Sequence, residues 1–171
     1  MDPWVQQGGA APPSERLHSA TMRAVVQRTT EAEVTVAGAA TGRIGTGVVV
    51  LVGVEAGDTP ADADWLARKI AALRIFADEA GKMNRDVREA GGEALVVSQF
   101  TLHASTKKGN RPSFVRAARP EEAVPLYERF CATLEAEMGR PPARGVFAAD
   151  MRVRLVNDGP VTIIIDSRQP E

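Results

Sequence analysis

Val48-Val49-Val50-Leu51-Val52-Gly53-Val54 is the stretch that decides the fold class of this chain of 171 residues. The run is continuous, apolar and rich in β-branched side chains, which is typical of a central strand that is buried on both faces. Before it, residues 24–28 and 33–36 are also β-rich, and residues 37–42 supply turn chemistry. Further strands are predicted after it at residues 95–102, 151–155 and 161–165.

Two amphipathic helices are predicted to cover this sheet. The first begins at Thr59-Pro60, where Asp62 follows the threonine by three residues in a pattern typical of a helix start. Its apolar residues recur at helical spacing at Leu66, Ile70 and Leu73. The second begins at Pro120, and its apolar face consists of Ala123, Leu126, Tyr127, Phe130, Leu134 and Met138. Strands that do not alternate regularly with helices predict one α/β domain with a largely antiparallel or mixed sheet.

Composition excludes several classes of protein. The net charge is -1, so any contact with nucleic acid needs a local basic patch. The lone cysteine, Cys131, cannot form an internal disulfide; we interpret it as a core residue of a cytosolic protein. The two histidines and the absence of a Cys/His cluster argue against a zinc site, and no dinucleotide or P-loop motif is present, so we expect no metal and no cofactor. No apolar run approaches the ~20 residues that span a bilayer.

The beginning of the chain differs from the rest. Residues 1–21 contain Gly8-Gly9 and Pro12-Pro13 but lack the apolar core of a secretory signal. Met22 directly precedes the first patterned strand. We therefore expect residues 1–21 to be a disordered extension, from an early start or from vector sequence, and residues 22–171 to form the domain. No role is expected for His18.

Ser98-Gln99-Phe100-Thr101-Leu102, at the end of a predicted buried strand, is the first candidate site. A serine, an amide and a threonine in four positions can line an active site, or they can satisfy loose backbone groups. No histidine or carboxylate forms a Ser–His–Asp pattern with them, so an activated nucleophile of that kind is not expected. His103 follows at once. On a strand it would share the face of Thr101, and we interpret it as incidental.

Two further segments stand out. Asn157-Asp158-Gly159-Pro160 between two strands is either a plain hairpin turn or a turn with a cis Gly159–Pro160 bond that presents backbone carbonyls at its tip. Residues 106–116 carry four positive charges and no acid, together with Phe114. The run is either solvated surface or a loop that grips phosphates, since it combines cations with small residues that permit close approach. Its cations are Lys107, Lys108, Arg111 and Arg116.

Together these segments resemble the signature stretches of the D-aminoacyl-tRNA deacylases. The resemblance rests on residues 98–102, 108–114 and 157–162, in the same order and spacing, with support from residues 22–28 and 81–84. It covers residues 22–166. It implies a compact α/β fold with a barrel-like sheet that works as a homodimer in the cytoplasm. The implied partner is tRNA, with no membrane and no DNA.

The resemblance also implies site roles. Ser98, Gln99, Phe100 and Thr101 would form the catalytic pocket for the aminoacylated 3′ adenosine. Gly159–Pro160 would be cis and enter the partner subunit's pocket, where it rejects L-aminoacyl groups. The implied reaction is hydrolysis of D-aminoacyl-tRNA, and of mischarged glycyl-tRNA, to free tRNA and amino acid.

The residues leave the mechanism and two rival functions open. Water attack assisted by backbone N–H groups near Phe100 and Thr101, with the ribose 2′-hydroxyl as proton shuttle, competes with a covalent route through Thr101 Oγ1. A non-catalytic nucleic-acid-binding module would explain the basic loop alone. A hydrolase of free D-amino-acid esters or peptides would leave that loop unexplained.

Overall fold

The computed structural model describes residues 21–169. The expected disorder of residues 1–20 lies outside the described residues. Thr21, which the sequence places in the extension, is only 4% exposed, and its backbone N–H donates to Glu55 Oε2 at 2.9 Å. The packed part of the chain therefore includes Thr21, one residue before the boundary expected at Met22.

Within residues 21–169 the chain forms eight strands, two α-helices and a short 3₁₀ turn. In chain order these are β1 (Arg23–Val36), β2 (Ala39–Ile44), β3 (Gly47–Gly53), α1 (Pro60–Ala71), β4 (Phe76–Ala77), β5 (Met83–Arg85), β6 (Glu93–Ser98), the 3₁₀ turn (Phe100–His103), α2 (Pro120–Met138), β7 (Ala143–Arg144) and β8 (Met151–Asp166). The predicted central strand is β3. The two β-rich segments that precede it are parts of one strand, β1.

The main sheet is mixed and nearly closed, as the resemblance implies. Its strand order is β2-β1-β3-β6-β7, with β8 also paired to β1. β1 runs antiparallel to β2, β3 and β8, whereas β3, β6 and β7 run parallel to one another. A Cβ on Gly42 of β2 would lie 2.8 Å from the backbone oxygen of Arg144 in β7, so these two strands nearly meet and the sheet curls into a barrel.

β3 is apolar throughout because both of its faces are buried. Val48, Val50 and Val52 belong to the cluster that packs against the helices, whereas Val49 belongs to a second cluster with Val34 and other residues inside the curled sheet. Successive side chains of a strand point to opposite faces, so a strand between two cores must be apolar at every position.

The helices form the outer layer, as predicted. Asp62 Oδ2 accepts the backbone N–H of Thr59 at 2.8 Å, which caps the start of α1. α1 and α2 pack together over the sheet, and Phe130 and Cys131 of α2 are fully buried. Cys131 is thus a core residue, and burial raises its pKa to about 11, which keeps the thiol protonated. No helix in residues 21–169 is both long and apolar enough to cross a membrane.

The strand predicted at residues 95–102 is wrong in its second half. β6 pairs with β3 up to the Val52–Ser98 pair, and β3 itself ends at Gly53. No strand partner remains beyond this point, and the chain turns into the 3₁₀ turn Phe100–His103. His103 therefore does not share a strand face with Thr101: it is 1% exposed, whereas Thr101 is exposed.

The hairpin turn predicted at residues 157–160 is also wrong. Asn157 pairs with Thr29 of β1 and Thr162 pairs with Gln27, so both flanks run antiparallel to the same strand and hence in the same direction. Residues 158–161 form a wide bulge in the single strand β8 opposite Arg28. Turn-forming residues occur in such bulges because the extra residues must leave the ladder.

Candidate functional site

A cleft of about 620 Å³ lies at the carboxyl ends of the parallel strands β3 and β6. Val52 of β3 and Val97 and Ser98 of β6 form part of its wall. Parallel strands bring their carboxyl ends to one edge of a sheet, where pockets commonly form. Residues that sequence reasoning did not assign to a site complete the wall, among them Arg119, Tyr127, Phe147, Asp150 and Met151.

The first predicted motif reaches this cleft. Ser98, Gln99 and Phe100 line it, whereas Thr101 is exposed and is not among the lining residues. The backbone N–H of Gln99 donates to the oxygen of Val52 at 2.8 Å, and its side-chain Nε2 donates to Thr101 Oγ1 at 2.6 Å. Gln99 thus ties the turn to β3 and orients the threonine hydroxyl.

The turn leaves two backbone donors free. The N–H groups of Phe100 and Thr101 make no hydrogen bond to any residue in the described part of the chain, whereas the N–H of Leu102 bonds to the oxygen of Gln99 at 3.3 Å. The first N–H groups of a helical turn lack partners in the turn itself. Two adjacent amide N–H groups beside a cleft can donate hydrogen bonds to a negatively charged oxygen.

Two aromatic side chains join this turn to the basic segment. The rings of Phe100 and Phe114 lie edge to face, with centroids 5.2 Å apart. Phe100 is 56% exposed and Phe114 37% exposed, and both line the cleft. The pair presents partly open aromatic surface at the mouth of the cleft, which suits the stacking of a nucleobase.

The basic segment is a closed loop. Ser105 and Ser113 exchange backbone hydrogen bonds of 2.8 and 2.9 Å, so residues 106–112 project as a unit. Lys107, Lys108 and Arg111 are exposed on this loop and make no side-chain hydrogen bond or ion pair with residues 21–169. Their charges are therefore available to a ligand.

Arg116 has a different environment from the other three cations. Its Nε lies 2.5 Å from Oε1 of Glu55, whose side chain is only 6% exposed. The backbone oxygen of Arg116 also accepts the N–H of Ala56 at 3.0 Å. The guanidinium therefore anchors the base of the loop, an arrangement that the spacing of charges in the sequence does not reveal.

The bulge at residues 158–161 has an exposed tip. The Gly159–Pro160 peptide bond is cis, and both residues are exposed. Asn157 Oδ1 accepts the N–H of Val161 at 3.1 Å, and Asn157 Nδ2 donates to Thr162 Oγ1 at 2.9 Å, which closes the base of the bulge. Neither Gly159 nor Pro160 lines the cleft of its own chain.

Arg28 contacts the bulge and anchors it to another segment of the chain, a role that sequence reasoning missed. Its Nε lies 3.1 Å from Oδ2 of Asp158, its Nη1 donates to the oxygen of Ile75 at 2.6 Å, and its side chain is only 15% exposed. The available signal was an arginine that ends an otherwise apolar strand pattern. Its partners are distant in sequence, so their identity was not predictable.

Within residues 21–169 no three His, Cys, Asp or Glu side chains are grouped to hold a metal ion. The polar character of the cleft comes instead from serine and amide side chains, free backbone donors and two charged residues at its wall, Arg119 and Asp150.

Comparisons with known proteins identify the family. The profile described as D-Tyr-tRNA(Tyr) deacylase matches residues 25–166. A protein of Chromobacterium violaceum named D-aminoacyl-tRNA deacylase is 62% identical over 150 residues, which are 88% of this chain and the whole of that protein. A protein of the same name from Parabacteroides distasonis is 57% identical over equal shares.

Solved structures share the fold of this chain. One named c-Myc DNA Unwinding Element Binding Protein is 41% identical, with a TM-score of 0.79 over 87% of this chain and 99% of that one. A probable eukaryotic D-amino acid tRNA deacylase shares the fold with a TM-score of 0.75 at 19% identity, over 85% of this chain and 99% of that one. The cleft, its signature turn and these relatives lead to one conclusion: the chain belongs to the D-Tyr-tRNA(Tyr) deacylase family.

Proposed function

We propose that the protein hydrolyses the ester bond of D-aminoacyl-tRNA in the cytoplasm and releases free tRNA and amino acid. The observation that carries this proposal is the cleft that joins the Ser98–Phe100 wall to an aromatic pair and, beyond it, to a loop of unpaired cations. A terminal adenosine would stack on the aromatic pair while the loop contacts the phosphates that precede it. Membership of the deacylase family supports the same reaction.

The ester is already activated, so the chain needs no strong nucleophile of its own. In the proposed mechanism, water attacks the ester carbonyl, and the free N–H groups of Phe100 and Thr101 stabilise the oxyanion. One such donor typically contributes about 3–4 kcal/mol to the transition state. The neighbouring ribose 2′-hydroxyl carries the proton to the leaving oxygen, so no histidine base is needed.

This mechanism makes a prediction for Thr101→Ala. We expect kcat to stay within about fivefold of the parent, because the variant keeps both backbone donors and loses one exposed hydrogen bond worth about 1 kcal/mol. Single-turnover hydrolysis of D-tyrosyl-tRNA measures this, with Thr101→Ser as the matched control. A loss of several orders of magnitude in the alanine variant, restored by serine, would establish the covalent route instead.

Chirality would be selected by exclusion. The backbone oxygens of Gly159 and Pro160, at the exposed tip of the bulge, would hold the α-amino group and occupy the space that an L side chain requires. Every L-aminoacyl group is then rejected at its Cβ, whatever the rest of the side chain. Glycine has no Cβ, so mischarged glycyl-tRNA is an expected second substrate.

This selection requires a second copy of the chain. The residues that line the cleft do not include Gly159 or Pro160, which supports entry of the tip into the cleft of a partner subunit. β8 is an edge strand with exposed apolar residues, Val156 at 48% and Ile164 at 69%. Exposed apolar surface on a long edge strand is suited to pairing with another chain. We therefore propose a homodimer as the active form.

The basic loop should supply affinity rather than turnover. Each phosphate contact to single-stranded RNA contributes about 0.7 to the slope of log K against log salt, so replacing Lys108 and Arg111 by alanine should lower that slope by about 1.4. Binding titrations of tRNA at several salt concentrations measure it. Lys69→Ala with Lys82→Ala is the matched control, since both are exposed lysines outside the loop. An unchanged slope in the loop variant would show that the loop faces away from the tRNA.

A non-catalytic nucleic-acid-binding module is the alternative, and the exposed cationic loop taken alone would fit it. It leaves the cleft and the free amide donors unexplained. Incubation with matched D- and L-tyrosyl-tRNA decides between the two: the deacylase removes only the D ester, whereas a binding module leaves both esters intact.

A further inference from the structure

His103 is a buried titratable group that the proposed mechanism does not use. It is 1% exposed, and neither ring nitrogen has a hydrogen-bond partner of normal geometry within the described residues. An apolar side chain would fill this position without leaving polar atoms unpaired, so packing alone does not account for a histidine. It is the last residue of the 3₁₀ turn Phe100–His103, which relates it to the proposed site.

The ring and the turn share one contact surface on β3. A Cβ placed on Gly53 would lie 3.0 Å from Cδ2 of His103 and 2.8 Å from the backbone oxygen of Gln99. Gly53 thus leaves room for the imidazole and for the residue that begins the turn. Arg23 Nη1 also donates to the oxygen of Leu102 at 2.9 Å, so the chain is held at the residue that precedes the ring.

The surroundings of the ring favour its uncharged form. Burial lowers the pKa of His103, and this outweighs the backbone of Gly53 and the carboxylate of Glu55, which act in the opposite direction. Arg23 and Arg116 also face the ring and lower its pKa further. The turn itself contributes no other titratable side chain.

The carboxylate that acts on the ring, that of Glu55, already has hydrogen-bond partners. Oε1 of Glu55 is taken by Arg116, and Oε2 accepts the backbone N–H of Thr21. Asp166 is paired with Arg23 at 2.7 Å. Asp58 accepts the backbone N–H of Glu55, and burial raises its pKa to about 7, so it carries no negative charge at acidic pH. An imidazolium would therefore be a buried cation beside two partly exposed arginines, Arg23 and Arg116, whose carboxylates are already paired.

We propose that His103 is a positioning residue: its uncharged imidazole holds the Phe100–Leu102 turn against Gly53, and protonation of the ring displaces the turn and switches the deacylase off. The inference rests on the proposed catalytic role of the turn. The folded protein disfavours the charged ring, so the unfolded or opened turn takes up the proton first. The closed turn is therefore fully stable above pH 6.5, the ordinary value for histidine, and loses stability as the pH falls below it.

The direct test is NMR of the whole protein labelled with ¹³C-histidine and ¹³C-threonine methyl groups. The chain has two histidines, so His18→Asn assigns the His103 signal. We expect the His103 signal to titrate with a midpoint below 6.5 and the Thr101 methyl signal to move with the same midpoint, while the circular dichroism of the fold is unchanged. A His103 signal that titrates while Thr101 does not move, or global unfolding at the same midpoint, would overturn the proposal.

The kinetic test compares pH profiles. For the parent, kcat/KM should fall about tenfold for each pH unit below the His103 midpoint, whereas His103→Phe should lack this fall and show only the titrations that both proteins share. The ratio of kcat/KM between the parent and the variant cancels the titrations of the substrate amino group and of Asp58, which both proteins share. Identical acid limbs would contradict the proposal. His103→Gln replaces the phenylalanine variant if that does not fold. If the turn is not the catalytic site, the Thr101 methyl signal still reports movement of the turn. Failure of the proposed role of His103 and failure of the proposed function are therefore distinguishable.

Discussion

Gly159→Ala is expected to lower kcat/KM for D-tyrosyl-tRNA by roughly 10²-fold while the protein stays folded, because a misplacement of about 1 Å at a positioning group costs on that order. Gly159 has φ +125°, which L residues rarely adopt. An added Cβ would lie 2.9 Å from Cγ2 of Val161 and 3.1 Å from Nη2 of Arg28. The tip must therefore shift relative to the Arg28 anchor, and the selecting carbonyl groups shift with it.

The matched control for this variant is Gly81→Ala. Gly81 also has a positive φ, +77°, but an added Cβ meets nothing within 4 Å. The Gly81→Ala variant therefore has a similar backbone strain but does not displace the bulge. Initial rates with D-tyrosyl-tRNA, together with melting temperatures, compare the two variants. Equal activity of the Gly159 and Gly81 variants would show that the position of the tip does not matter for the reaction.

Phe100→Ala is expected to raise KM by about 10- to 100-fold with little change in kcat. Stacking of a base on an aromatic side chain contributes about 1–3 kcal/mol, and the alanine variant keeps the backbone N–H that the mechanism uses. It also removes the ring that packs against Phe114 at the cleft mouth. Steady-state kinetics over a range of tRNA concentrations separates KM from kcat.

Val115→Ala is the control for this prediction. Val115 is 86% exposed in the same segment and does not line the cleft, so its loss should leave KM unchanged. A Phe100 variant with the KM of the Val115 variant would mean that the adenosine does not stack on the aromatic pair. A large fall in kcat would instead assign the ring a role in the chemical step.

The central layer of the fold was predictable because its signals are local. Val48 to Val54 are apolar at every position since both faces of β3 are buried, and Thr59 with Asp62 marks the start of α1 by a contact between near neighbours. Turn residues and apolar periodicity are read from a few adjacent positions, and they predicted both helices and parts of β1, β3, β6 and β8.

The errors concern features that depend on distant pairing. The strand at residues 95–102 ends at Ser98 because β3 provides no further partner, and residues 158–161 form a bulge because β1 pairs with both flanks. A turn signal gives no information about whether the chain reverses or bulges, since the same residues serve both.

The candidate site was predicted by its motifs rather than by its environment. The family expected from residues 98–102, 108–114 and 157–162 is confirmed. Yet Arg116 and the other loop cations look alike in sequence, and only the fold brings Glu55 beside Arg116. In the same way His103, interpreted as incidental, is buried against Gly53 of another strand. Partners distant in sequence determine what such side chains can do.

The most direct measurement of the central claim, selection by exclusion at Cβ, follows ester loss from one tRNA charged in turn with D-alanine, glycine and L-alanine. These three differ only at the α-carbon, so side-chain recognition plays no part. We expect D-alanyl- and glycyl-tRNA both to be hydrolysed and L-alanyl-tRNA to stay intact. Hydrolysis of the D-alanyl ester with a fully stable glycyl ester, or hydrolysis of the L-alanyl ester, would contradict it.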